Sequence, residues 1–383
     1  MSFKWNALRY VLYFLLIPIG YLNPILNWLV IIIGPFLLFK SSYNPIFKEQ
    51  KKYLLNLSLF LIVVVFTGFI SEDPQYPIKN ALNILSIILA SYFITIRLQS
   101  KRELISFING VFLASLIYTL LLYLVAFNGF TFDFLDSDTF GKNSSALILF
   151  IGLVALMLKM KLTKSSFFLK IIVFVFYLSI FFTGSIKIIL VSLILLFIFI
   201  FFKYGFKIKP ILLGLIGLFI FIFIVDFITT KNSYFDNYAV MRITSRISVL
   251  FGGESDIAYI DSDYMTEVRT NLINEGIELF YRNPILGIGL ENSRLYLGTY
   301  THNNFVEILA GTGIIGFYFF MNALFIVVKA ILGVKKNQIK IILLASFMCF
   351  ILIANAQRIY DNRYLLVFLV SFISIQKILN NEK

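Results

Sequence analysis

Residues 188–202 read IILVSLILLFIFIFF, an apolar run interrupted only by Ser192. A helix that is apolar on every face must be buried, either in protein or in lipid. The run does not alternate apolar with polar positions, as the strands of a membrane barrel do. Similar runs recur from one end of the chain to the other. Composition agrees: 383 residues, 14% of them charged, 44 Phe and a mean hydropathy of +0.90. The chain is predicted to be an all-α polytopic membrane protein, since a span needs ~20 apolar residues.

About 12 transmembrane helices are expected, near 7–22, 25–39, 53–70, 78–96, 104–127, 143–158, 167–183, 186–202, 210–229, 303–328, 339–355 and 364–379. The first is short and carries Pro18, and TGSIK (183–187) is all that splits the pair 167–202. Lys4 and Arg9 precede an apolar run with no small-residue cleavage site, which reads as a retained span and not a removed signal peptide. Three parts follow: spans one to nine (1–229), a long extracytoplasmic loop before the tenth span (230–302), and spans ten to twelve (303–383).

Orientation follows from the basic residues. With both termini inside, the inner segments hold 22 of the 33 Lys and Arg, and only Glu49, Glu103 and Glu382 among the acids. An anionic cytoplasmic leaflet accounts for the net charge of +13 without nucleic acid. The inner cations are mostly Lys. The outer ones are mostly Arg: Arg242, Arg246, Arg269, Arg282, Arg294, Arg358 and Arg363. Topology needs only charge, whereas a guanidinium fork matches phosphate oxygens two at a time. Arginines on the face where topology disfavours them indicate either anion binding or ion pairing with the outer acids.

Within the long loop, MTEVRTNLINEGIELFY (265–281) has helical apolar spacing, with Asp263 as an N-cap and Asn283-Pro284 as the stop. Gly287 and Gly289 permit tight turns, but GIGLEN lacks the third glycine and preceding strand of a dinucleotide loop. THNNF then re-enters the membrane. Asn303 and Asn304 can cap the new helix, Glu307 lies one turn in, and Gly311, Gly313 and Gly316 allow close helix packing. His302 is the only histidine and Cys349 the only cysteine, so no cluster has metal-ligand spacing.

An Arg-bearing helix, then NP-x-x-G-x-G, then HN and a Gly-rich span resembles the polysaccharide polymerase and O-antigen ligase superfamily of Wzy and WaaL types. The residues that carry the resemblance are Arg269, Asn283, Pro284, Gly287, Gly289, His302, Asn303, Glu307, Gly313 and Gly316. The layout of about twelve spans with one long outer loop also fits. The family's T-x-S-R is represented here by TGSIK, with Lys187 in place of arginine. The resemblance implies glycosyl transfer between undecaprenyl-pyrophosphate-linked glycans, donor and acceptor, at the outer face of a bacterial cytoplasmic membrane. It implies no metal or other cofactor. It leaves room for a chain-length regulator protein as a partner besides the membrane lipids.

Such a transfer needs a base for the acceptor hydroxyl and cations for the departing pyrophosphate. His302, with an ordinary pKa of ~6.5, is the candidate base, and Arg269 the first candidate for the pyrophosphate. Arg242, Arg246, Arg282, Lys187, Arg358 and Arg363, with Asn303 and Glu307, are further phosphate or sugar contacts. Glu72 and Asp73 are rival bases, and Tyr296 and Tyr300 are candidates for stacking on sugars. Polymerase and ligase share this chemistry. A transporter or flippase is the other class, and it is disfavoured because no charge lies near the middle of a span and no repeated halves are evident.

Overall fold

The computed structural model describes residues 2–20, 24–39, 46–127, 142–163, 167–183, 185–204 and 262–380. The expected ninth span (210–229), Arg242 and Arg246 lie outside them. Among the described residues there is no strand. The helices are α1 (Ser2–Gly20), α2 (Pro24–Ile33) running into a 3-10 turn (Gly34–Leu38), α3 (Lys48–Ile70), α4 (Gln75–Arg97), α5 (Lys101–Phe127), α6 (Lys142–Leu162), α7 (Phe167–Phe182) and α8 (Ile186–Tyr204). After the undescribed stretch come α9 (Ser262–Arg282), α10 (Ser293–Leu297), α11 (Asn304–Leu332), α12 (Asn337–Ala354) and α13 (Arg363–Asn380).

Among the described residues, seven helices, α3 to α6 and α11 to α13, are long and apolar enough to cross a membrane, and α1, α2 with its 3-10 turn, α7 and α8 are shorter apolar helices. The chain is therefore an all-α polytopic membrane protein. Each expected span within the described residues coincides with one of these helices. Helix α9 begins at Ser262, earlier than expected, which places Asp263 inside its first turn and not at a cap. An acidic residue is compatible with the positive end of a helix.

The centre of the bundle is α13. Its residues from Arg363 to Ile375 are all buried, and α4, α5 and α11 pack around it. Water does not drive helices together inside lipid; fit and dispersion do. Phe14 against Tyr364, Phe107 stacked on Phe368, and Phe350 beside Phe372 supply that fit. Ser371 and Ser374 return their hydroxyls to the carbonyls of Phe368 and Val370, so these buried polar groups are satisfied within the helix. Elsewhere small residues let helices close in. A Cβ at Gly110 would lie 2.3 Å from Tyr10 Cβ, and one at Gly152 would lie 2.3 Å from Ser115 Cβ.

Side-chain bonds mark the two ends. At one, Arg97 donates to the Leu38 and Phe39 carbonyls and Lys377 pairs with Glu49. At the other, Asn80 meets Glu291, Lys187 meets the Ala356 carbonyl, and Arg363 meets Asn27. The second end carries α9, α10 and the α12–α13 turn, and the candidate residues gather there.

Candidate active site

The site rests on a break in α11. Gly313 has φ 62° and ψ −167°, a conformation that interrupts the helical hydrogen bonds. The loop 284–289 splints the gap. Ile288 and Gly289 donate their N–H groups to the carbonyls of Ala310 and Gly311, both at 2.9 Å, and Ile314 donates to the Pro284 carbonyl at 2.9 Å. The backbones touch. A Cβ at Gly313 would lie 2.2 Å from the Ile285 oxygen, and one at Gly287 (φ 72°) would lie 2.5 Å from the Ala310 oxygen. The glycines of NPILGIG and GTGIIG thus serve each other. Gly311 and Gly313 admit a loop, where close packing of a neighbouring helix was expected.

This splint fixes the path from α9 to α11. Helix α9 buries Leu272, Gly276 and Leu279 on one face and leaves Arg269 on an exposed one. Gly276 brings it against Thr301 and Val306, at the start of α11. Asn303 caps α11, its side-chain oxygen accepting from Phe305 and Val306 N–H. Asn304 is fully buried and accepts from the N–H groups of Ile359 and Tyr360 at 2.8 and 3.0 Å, which ties down the turn that carries Arg358. Glu307 is fully buried too. It accepts from Ser293 Oγ at 2.7 Å and Thr301 N–H at 2.9 Å, joining α10 and the loop to α11.

His302 follows from this bracing. Its φ is 56°, in the left-handed region that a side chain rarely adopts, and the bonds on either side hold it there. Its ring lies 4.2 Å from that of Tyr300. Partial burial pushes the imidazole pKa down to about 4, and the positive charges of Arg269, Lys187 and Arg294 push the same way. His302 is therefore neutral at pH 7, the state a base requires. Lys187 reaches the site from the start of α8, where Ser185 binds Asn143 of α6 at 2.7 Å.

A second charge cluster adjoins His302. Glu291 also has positive φ, 72°, and its side chain is buried. One oxygen, Oε1, pairs with Arg294 Nε at 2.8 Å and with Arg358 Nη1. The other accepts from Asn80 Nδ2 at 2.9 Å. Burial alone would raise the Glu291 pKa, but Arg358, Asn80 and Arg294 outweigh it and hold the carboxyl below its ordinary value. The Tyr300 ring lies under both guanidiniums, 5.8 Å from Arg294 Cζ and 5.4 Å from Arg358 Cζ. Arg269, Lys187, Arg294 and Arg358 thus converge with the Glu291 carboxylate beside a neutral imidazole, and Asp361 also acts on Arg358. The surplus of positive charge suits an anion carrying more than one negative charge.

Residues 171–321 match the O-antigen ligase family. The matched segment, about two fifths of the chain, falls in the O-antigen polymerase and ligase superfamily. The chain is a membrane polysaccharide-processing enzyme. No curated protein matches it. The superfamily match runs from α7 into α11, so it takes in Lys187, Arg269, Glu291, Arg294 and His302 and stops short of Arg358. The fold supplies Arg358 from beyond the matched segment.

Not every superfamily candidate joins this cluster. Arg282 is exposed and makes a long i,i+4 pair with Glu278 at 4.0 Å. Arg363 is buried at the head of α13, where it binds Asn27. The side chains of Asn303 and Glu307 brace the loop: Asn303 caps α11, and both Glu307 oxygens accept bonds in a fully buried place. Of the rival bases, Asp73 accepts from Gln75 N–H at 2.8 Å at the start of α4, and Glu72 bonds the Tyr296 hydroxyl and raises its pKa. Two residues of the cluster were not among the expected contacts, Glu291 and Arg294. Arg294 carried a signal, being one of the outer arginines.

Proposed function

We propose that this enzyme polymerises undecaprenyl-pyrophosphate-linked oligosaccharide repeat units into capsular, exopolysaccharide or O-antigen chains, at the outer face of the cytoplasmic membrane and without a metal. The observation that carries this reading is the meeting of His302 with Arg269, Lys187, Arg294 and Arg358 at the end of the bundle opposite the Lys-rich connections. The superfamily match supports the reaction class.

In the proposed step, an acceptor sugar hydroxyl attacks the anomeric carbon of the donor. The new C–O bond forms as the bond from that carbon to the pyrophosphate oxygen breaks. The hydroxyl proton passes to His302. The electron pair of the broken bond leaves on the lipid pyrophosphate, whose growing charge Arg269, Lys187, Arg294 and Arg358 stabilise. Because that charge exists in full only as the bond breaks, cations fixed beforehand favour the transition state over the ground state.

A ligase would run the same step with a different acceptor, and the family description favours that as the second reading. Deleting the gene and sizing lipid-linked glycans separates the two. Single repeat units on the lipid support a polymerase. Full-length chains still on the lipid overturn that reading in favour of a ligase. Loss of outward-facing repeat units points to a flippase.

A further inference from the structure

Glu291 is a paradox in a site that binds anions. A carboxylate among phosphate-binding arginines competes with phosphate, yet here it is buried, ionised and centrally placed. Its contacts come from three separate parts of the chain: Asn80 on α4, Arg294 on α10 and Arg358 on the α12–α13 turn. Both arginines meet the same oxygen, Oε1, and Asn80 holds the other. Its backbone adopts φ 72°, between the positive-φ Gly289 and helix α10, so the fold has accepted local strain to turn this side chain inward.

We propose that Glu291 is a positioning residue, whose carboxylate fixes Arg294 and Arg358 as one rigid clamp for the lipid-borne diphosphate beside His302. An unpaired arginine side chain samples many rotamers, and freezing it on binding costs affinity. Here the freezing is done before the ligand arrives. Each guanidinium is ion-paired with Glu291 and has further N–H groups for phosphate oxygens, since arginine has five. Tyr300 lies near both guanidiniums. The clamp therefore trades one negative charge for preorganisation, and it gives a diphosphate two forks at a fixed separation.

This inference rests on the reading of a pyrophosphate-linked donor, and its test is chosen to work without glycosyl transfer. Inorganic pyrophosphate is titrated into the purified full-length protein in nanodiscs, and binding is followed by calorimetry. Glu291→Gln should weaken pyrophosphate at least about tenfold in protein that is still folded, although loss of a buried ion pair lowers its thermal midpoint. Arg294→Ala and Arg358→Ala should each weaken it, and together less than the product of their separate effects. Asn80→Ala keeps every charge and removes only the bond that orients Glu291; it should weaken binding in the same direction by less. That variant serves if Glu291→Gln fails to fold. Unchanged or tighter pyrophosphate binding in Glu291→Gln, or in Asn80→Ala where Glu291→Gln does not fold, overturns the proposal, because the carboxylate would then be a bystander or a competitor. Transfer assays with lipid-linked repeat units are run in parallel. A clamp that binds pyrophosphate in a protein that transfers no sugar would sink the proposed function and leave the clamp standing.

Discussion

The rings of Tyr300 and His302 lie 4.2 Å apart, centroid to centroid, tilted by 40°. The same tyrosine ring also lies near both arginines of the Glu291 cluster. Tyr300 is thus the shared wall between the candidate base and the candidate anion clamp.

The first expectation is a displaced pH profile. A base must be neutral, and His302 loses its proton at about pH 4. As pH falls, kcat/KM of the free enzyme should hold through ~6.5, the ordinary histidine value, and fall only as pH nears the depressed one. The lowered pKa also means that acid costs stability. That loss begins as pH drops through the unfolded value and is complete below the folded one. Arg269→Ala removes a cation that lowers the pKa, so its acid limb should move to higher pH. Initial rates across the acid range test this, and a wild-type limb at ~6.5 would count against it.

The two arginines of α9 should behave differently. Arg269 is close enough to His302 to affect its charge, whereas Arg282 forms an exposed pair with Glu278. We predict that Arg269→Ala removes most chain extension, as does His302→Ala, with the protein still in the membrane. Arg282→Ala should change stability by less than ~0.5 kcal/mol and leave product length near wild type. Glycan sizing by gel electrophoresis distinguishes them.

The break in α11 supports a stability prediction. Gly313→Ala sets a methyl 2.2 Å from the Ile285 carbonyl oxygen at a φ of 62°. Gly298 also has positive φ, 70°, but a Cβ there meets nothing within 4 Å. Gly298→Ala should cost about 1–2 kcal/mol of backbone strain alone. Gly313→Ala should cost clearly more and lower the thermal midpoint further. Equal midpoints for the two variants would mean that the loop does not splint the helix.

Asn304→Ala tests the brace under Arg358. Its side-chain oxygen holds two N–H groups of the α12–α13 turn. Losing it leaves both donors buried without that partner, at about 1–3 kcal/mol each, and frees Arg358 to move. Transfer should fall more than protein abundance does, read as activity per folded molecule.

The spans were legible because all-round apolar runs leave a helix in lipid as the only good solution. The capping role of Asn303 was legible because a local pattern surrounds it, and local patterns also singled out His302 and Arg269, which the fold brings near each other. The splint was not. Its glycines were visible, but whether Gly313 packs a helix or receives a loop depends on a backbone angle fixed by contact with Pro284 and Ile285. Glu291 was hidden for a related reason. Its partner Asn80 is 211 positions away, and nothing local distinguishes it from a solvated acid. The same applies to Glu307, whose bonds to Ser293 and Thr301 exist only once the loop has folded back.

The splint also bears on how such chains can diversify. NPILGIG and GTGIIG complete each other's main-chain bonds, so neither works as a free-standing module. A chimera that grafts a foreign loop over 284–289 while keeping its own α11, or the reverse, carries a severed helix with no cast around it. Recombination around this loop therefore has to cut on the far sides of both stretches, and carry His302 along with them.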